Sequence, residues 1–159
     1  MDKKYEPLRL KNQLCFPLYL CAKEVQRRYA PLLDGLNLTY TQYVVMMYFW
    51  EHGSSNVKTL GRALLLDPST LTPLLRKLEE KGYLTRTRSK EDERNLIVEL
   101  TDRGAALQDE ALEVPEKIGK CLDLSEEEAV QLYRQNLLCL TSVSTANSSA
   151  NAVSLGFDV

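Results

Sequence analysis

The 159-residue chain has a single histidine, His52, and four cysteines (Cys15, Cys21, Cys121, Cys139), no two of them in CxxC spacing. A structural zinc site draws on paired Cys and His ligands at short spacing, so no resident metal is expected, and no motif asks for another cofactor. Long apolar runs are missing as well. The longest, Tyr43 to Trp50, falls far short of the ~20 residues a membrane helix needs, and the charged N-terminus has no signal-like apolar segment. The expectation is a cytoplasmic protein without membrane contact, in which each cysteine is by default a buried free thiol. Nor is there a strong charge of one sign. A net charge of -2 excludes a protein that coats nucleic acid indiscriminately.

The charge that is present is segregated. Between Lys58 and Arg94 nine cations face six acids, whereas the C-terminal part is acidic. The same stretch, Val57 to Thr101, reads as helix, turn, helix and charged β-hairpin. Val57–Leu64 is amphipathic. Asp67 suits an N-cap and Pro68 the first helical position. Leu71, Leu74, Leu75 and Leu78 then form a buried stripe, which leaves Ser69, Thr70, Thr72, Pro73, Arg76 and Lys77 to face outward. After Lys81-Gly82, Leu84, Arg86 and Arg88 alternate with Thr85 and Thr87, and Leu96, Val98 and Leu100 form the return strand. A helix flanked by a basic hairpin is how a winged helix-turn-helix meets duplex DNA. On that reading Arg76 and Lys77 contact bases or phosphates and Ser69, Thr70 and Thr72 assist. Arg86, Arg88, Lys90 and Arg94 lie along the wing, with Arg94 for the minor groove and Asp92 as a brace. Taken singly, the outward face is also what an ordinary solvated helix looks like, and the hairpin tip what an ordinary turn looks like.

The flanks are helical. Leu10, Leu14, Leu18, Cys21, Val25, Tyr29 and Leu32 recur at helical steps. Pro17 requires a kink near Cys15 or a helix starting there, because an interior proline costs about 3 kcal/mol. Pro31 is expected to kink or restart the helix. Gln42–Glu51 is apolar nearly all round and belongs in a core or an interface, and Gly53–Asn56 reads as a loop. Asp102–Gly119 is a helix broken near Pro115, and Ser125 with Glu128 resembles a capping box for a last helix. The outer helices carry apolar faces that the DNA module does not use, and a second copy of the chain is the economical cover for them. The resulting architecture is mainly α with a small β-hairpin wing. It has one domain over 1–141, with dimerisation helices at about 8–34 and 102–141 and the winged helix-turn-helix at about 42–101. Residues 142–159, rich in Ser, Ala and Asn, are expected to form a disordered tail.

From Leu10 to Thr141 the chain resembles the MarR family of dimeric winged-helix regulators. The wing pattern Asp92-x-Arg94 followed by Leu100-Thr101-Asp102-x-Gly104 carries that likeness. Within the family it is similar to the organic hydroperoxide resistance regulators and related thiol sensors. The specific residues are Asn12-Gln13-Leu14-Cys15-Phe16 with Tyr19, then Tyr29-Ala30-Pro31-Leu32-Leu33, Leu38-Thr39-Tyr40-Thr41-Gln42-Tyr43, Leu66–Leu75 and Glu91–Arg94. The resemblance implies a homodimer on an inverted-repeat duplex, with recognition helices about 34–36 Å apart. It implies that Cys15 is the peroxide-reactive thiol, that Tyr29 and Tyr40 hydrogen-bond it across the dimer, and that Tyr19 and Phe16 line the same pocket. Phenol donors aimed at a sulfur favour its thiolate. Cys121 is placed like the resolving cysteine of two-cysteine members, and a low-molecular-weight thiol is the alternative trap for oxidised Cys15. Cys21 and Cys139 look like core cysteines.

A homodimeric repressor that leaves its operator on oxidation is the leading reading. One alternative keeps the DNA binding but takes a phenolic or lipophilic ligand in an aromatic cleft (Tyr40, Tyr43, Phe49, Trp50) as the signal. The other is a thiol peroxidase, for which the winged helix has no use, so an enzyme is not expected.

Overall fold

A computed structural model describes residues 3–88, 96–122 and 124–146. Two 3-10 turns, Lys3–Leu8 and Leu10–Asn12, precede α1 (Cys15–Asp34). The helix starts at Cys15, which puts Pro17 in its first turn, where a backbone N–H has no intrahelical partner to lose. The helix does not restart at Pro31. That proline lies in the last turn, and α1 runs through it to Asp34.

The second helix, α2 (Tyr40–His52), opens on a capping box. Thr39 Oγ1 accepts from the Gln42 N–H (3.4 Å) and Gln42 Oε1 accepts from the Thr39 N–H (3.1 Å). Val45, Met46 and Phe49 of this helix are fully buried, as its all-round apolar pattern requires. Ser54–Asn56, expected as a loop, is instead a short strand, β1. It pairs antiparallel with a later strand, Ser55 opposite Val98. Three polar residues carry no strand signal of their own, and the free edge of the hairpin recruits them.

The helix-turn-helix consists of α3 (Val57–Leu64) and α4 (Pro68–Glu80). Asn56 Oδ1 caps α3 by accepting from the Thr59 N–H at 2.8 Å. The helix closes on Leu65, held at φ 53, with the Leu66 N–H on the Gly61 carbonyl at 2.9 Å. A Cβ on Gly61 would sit 2.9 Å from the Leu66 oxygen and 3.2 Å from Leu71 Cδ1, so this glycine lets the two helices meet. Asp67 stands at the N-cap of α4, but its side chain makes no capping bond. The wing is β2 (Leu84–Arg88) and β3 (Leu96–Leu100), and the sheet order is β1-β3-β2.

The chain then forms α5 (Asp102–Ala111), α6 (Glu113–Leu122) and α7 (Glu126–Ala146). The break expected near Pro115 falls at Leu112. A proline ring crowds the carbonyl four residues before it, here that of Ala111, so the disruption appears upstream. The Ser125–Glu128 box forms with both of its hydrogen bonds. The last helix continues past Thr141 to Ala146, so the segment expected as a tail from Ser142 begins as helix. Its remainder, 147–159, lies outside the described residues. Cys21 and Cys139 are exposed in the single chain rather than in its core. They sit on the outward sides of α1 and α7, where helical spacing alone cannot tell a core face from an interface face.

One seam locks these parts together. Thr101 Oγ1 donates to the Gly82 carbonyl (2.7 Å) and accepts from the Gly104 N–H (3.0 Å), while Trp50 Nε1 donates to the Gly104 carbonyl (2.8 Å). A Cβ on Gly104 would stand 2.1 Å from the Tyr83 carbonyl oxygen and 2.9 Å from Leu100 Cδ1. Backbone on one side and a β-strand residue on the other leave little room to yield. Gly104→Ala should therefore lower the unfolding free energy by about 3 kcal/mol, measured by urea denaturation at fixed protein concentration. A loss under about 0.5 kcal/mol, the scale of an ordinary surface change, would show that the seam relaxes.

Candidate nucleic-acid interface and thiol site

Buried Leu71, Leu74, Leu75 and Leu78 fix the rotation of α4. Ser69, Thr70, Thr72, Pro73, Arg76 and Lys77 consequently lie exposed on its other side. Thr72 Oγ1 donates to the Pro68 carbonyl (2.8 Å), which leaves its lone pairs outward. Arg76 meets Glu80 one turn on at 3.0 Å. Such an exposed i,i+4 pair is worth only about 0.3–0.5 kcal/mol, so a phosphate can displace it.

The two described wing arginines differ. Arg86 shares the inward face of β2 with buried Leu84, and its guanidinium holds the Glu79 carboxylate of α4, the Nε contact being 2.8 Å. These hydrogen bonds hold Glu79 below the usual carboxylate range. Arg86 thus braces the wing against α4 instead of standing free at its surface, while Arg88, near the strand end, is exposed. Lys90, Asp92 and Arg94 lie outside the described residues.

Two cations absent from the sequence-based set belong beside this face. Lys58 and Arg62 of α3 border a 590 Å³ groove with Asn56, Leu66, Pro68 and Thr72. Their helical period placed them on one face, but only the α3–α4 packing shows which way it looks.

The thiol and the phenols are apart within one chain. Cys15 is exposed at the start of α1. Tyr29 lies fourteen residues along the same helix, about 21 Å at 1.5 Å per residue. There Tyr29 packs on Tyr40, ring centroids 5.0 Å apart, and on Tyr43 at 5.9 Å. Burial, then the neighbouring phenols Tyr40 and Tyr43, pushes the Tyr29 hydroxyl above its ordinary range, and burial does the same for Tyr43. Both remain O–H donors throughout the physiological range. Tyr19 is 59% exposed and does not join this cluster, and Phe16 is half-buried. Cys121, near the end of α6, is exposed. Of the aromatic cleft considered for a ligand, Phe49 is sealed in the core. Tyr43 and Trp50 instead border an open 420 Å³ groove with Met47, Leu112 and Pro115.

Among the described residues no group of three or more His, Cys, Asp or Glu is placed to hold a metal ion, and no helix is long and apolar enough to cross a membrane.

Comparison with known proteins places this geometry. Residues 27–111 match the family model described as transcriptional regulator SarA/Rot. The chain is 41% identical over 145 residues to the organic hydroperoxide resistance transcriptional regulator of Bacillus subtilis, covering 91% of this chain and 97% of that one. It is 40% identical over 149 residues to the regulator SarZ of Staphylococcus haemolyticus, covering 94% and 92%. Among solved structures, reduced AbfR bound to DNA superposes with a TM-score of 0.71 at 35% identity, covering 88% of this chain and 98% of that one. AbfR, a protein of Staphylococcus epidermidis, also matches when overoxidized and bound to DNA (0.67, 36% identity, 86% and 98%) and with its disulfide formed (0.60, 36% identity, 86% and 96%).

The contrast between the two arginines can be measured. Arg88→Ala should weaken binding to duplex DNA and lower the slope of log K against log salt by about 0.9. Arg86→Ala should instead cost about 1 kcal/mol of stability. Because Glu79 has a lowered pKa in the folded state, the pair's contribution is present above the ordinary carboxylate pKa and fades as pH falls through the folded value. Denaturation of wild type and Arg86→Ala at neutral and acidic pH checks this, and a stability gap that widens in acid would contradict the assignment.

Proposed function

The chain belongs to the MarR-like winged-helix transcriptional regulators of the SarA/Rot type, and from that membership we propose a homodimeric repressor that leaves its operator when Cys15 is oxidised. The observation that carries this reading is the separation of Cys15 from the Tyr29–Tyr40 pair along one uninterrupted helix. A thiol about 21 Å along the helix from Tyr29 meets the Tyr29–Tyr40 pair only if a second copy supplies it. The surface suits that partner. Leu14 just before α1, Leu18 and Tyr19 within it, and Val130, Tyr133 and Leu138 of α7 are all between 44% and 80% exposed. Large apolar surface of this kind marks an interface.

In the proposed chemistry the Cys15 thiolate attacks the outer oxygen of a hydroperoxide. The O–O bond breaks, the alkoxide takes a proton and leaves as the alcohol, and Cys15 becomes a sulfenic acid. The Cys121 thiol of the other copy then attacks that sulfur, an S–S bond forms and water leaves. A small thiol is the competing trap. The relative AbfR has been solved on DNA both reduced and overoxidized, and separately with its disulfide formed. Carried to this chain, that series supports an oxidisable site with a disulfide as one of its products. This chain superposes more closely on the reduced, DNA-bound form (0.71) than on the disulfide form (0.60). Relatives are named as regulators, and a single-turnover sensor needs no catalytic cycle.

The ligand-induced reading rests on the groove beside Tyr43 and Trp50. Gel shifts on a duplex selected from random sequence separate the two. Cumene hydroperoxide should weaken wild-type binding at least about tenfold, or 1.4 kcal/mol, and leave Cys15→Ser unaffected. Non-reducing mass spectrometry of the treated dimer should show a Cys15–Cys121 cross-link. DNA affinity unchanged by peroxide, or a response surviving in Cys15→Ser, would refute the sensing role, and induction of a cysteine-free variant by a phenolic compound would favour the ligand.

A further inference from the structure

Lys81 follows the last residue of α4 and looks, by position, like one more cation of the reading head. Its side chain runs the other way. Nζ donates to the Asn37 carbonyl (2.5 Å) and to Gln42 Oε1 (2.9 Å). Gln42 is only 3% exposed, and the same Oε1 accepts from the Thr39 N–H at the start of α2. One buried amide oxygen therefore serves both the start of α2 and the end of α4. Asn37, in the turn between α1 and α2, holds φ 53, and the neighbouring Leu36 carbonyl accepts from the Tyr83 hydroxyl at 3.4 Å. Partial burial, and secondarily the Lys77 ammonium, lowers the pKa of Lys81, in keeping with a side chain turned away from solvent.

We propose that Lys81 is a positioning residue for DNA binding. It touches no DNA but pins the C-terminal end of α4 to the α1–α2 turn, so that the helix meets the major groove at a set angle. The lever arm makes such pinning matter. A thirteen-residue helix is about 20 Å long at 1.5 Å per residue. A 10° tilt about its C-terminal end moves Ser69 and Thr70 by about 3 Å, as much as the whole length of a hydrogen bond. The pinned turn leads directly into Tyr40, the first residue of α2, so a displacement of the Tyr29–Tyr40 pair would reach α4 through this joint. That last consequence rests on the sensing reading, whereas the pinning does not.

The test needs no oxidant. Fluorescence anisotropy of the reduced full-length protein on its selected duplex, across a salt series, is compared for wild type, Lys81→Met, Lys81→Arg and Lys77→Ala. Lys81→Met should bind about tenfold more weakly with an unchanged salt slope, because no phosphate contact is lost. Lys77→Ala should lower the slope by about 0.9. Lys81→Arg, which keeps the donors, should recover most of the affinity. Gln42→Leu should weaken binding similarly, and the double variant with Lys81→Met should be no worse than either single change, as one joint requires. If Lys81→Met melts below the assay temperature, Lys81→Gln, which keeps an amide N–H2 donor group without the charge, is judged by the same two quantities. A salt slope that falls in the Lys81 variants as it does in Lys77→Ala, or an affinity equal to wild type, overturns the proposal.

Discussion

The approach of the Gly104 backbone to the Tyr83 carbonyl is the contact on which the reading head hangs. It brings the end of the wing, the start of α5 and the indole of Trp50 to one point, with Thr101 bonding to both sides of the seam. Because the atoms in contact are mostly backbone, the geometry cannot be recovered by choosing another rotamer. Everything that faces outward from α4 and β2 takes its direction from this seam and from the leucine stripe behind α4. Arg86 and Glu79 add a polar tie between wing and helix at the middle of β2.

A second constraint is the length of α1. A continuous helix cannot fold back on itself, so its first residue and its fifteenth stay apart whatever the solvent does. Pro17 does not relax this, since it sits where the helix has no hydrogen bond to lose. Under the proposed function that stiffness is useful. It keeps the thiol away from its own phenols and makes sensing a property of the dimer, tied to the interface whose rearrangement moves the DNA-reading elements.

Much of the fold was legible because the signals were local. The leucine stripe of α4, the Asp67-Pro68 start, the Ser125–Glu128 box and the alternation of β2 and β3 each specify their own element. The misses have a common cause. β1 has no apolar residue and owes its conformation to the edge of β3. Cys21 and Cys139 lie on faces whose apolar spacing serves contact with another chain as well as it would serve a core. At the site, the alternation that paired Arg86 with Leu84 already carried the sign that this arginine points inward. Its charge drew it into the DNA-facing set, whereas its register decided its role.

Composition and spacing alone determined the class of the molecule, a mainly helical chain with a basic wing, whereas the link of the Cys15 segment to thiol sensing came only from its resemblance to a known family. They did so because helical period, strand alternation and capping residues act over a few positions. Only the tertiary structure decided which cations stand free and which are committed. Arg86 is spent on Glu79 and Lys81 on Asn37 and Gln42, while Lys58 and Arg62 turn out beside the recognition helix. The partners of Lys81 lie about forty residues away in sequence. No periodic pattern reaches that far, and only the packing of α4 against the α1–α2 turn brings them within a hydrogen bond.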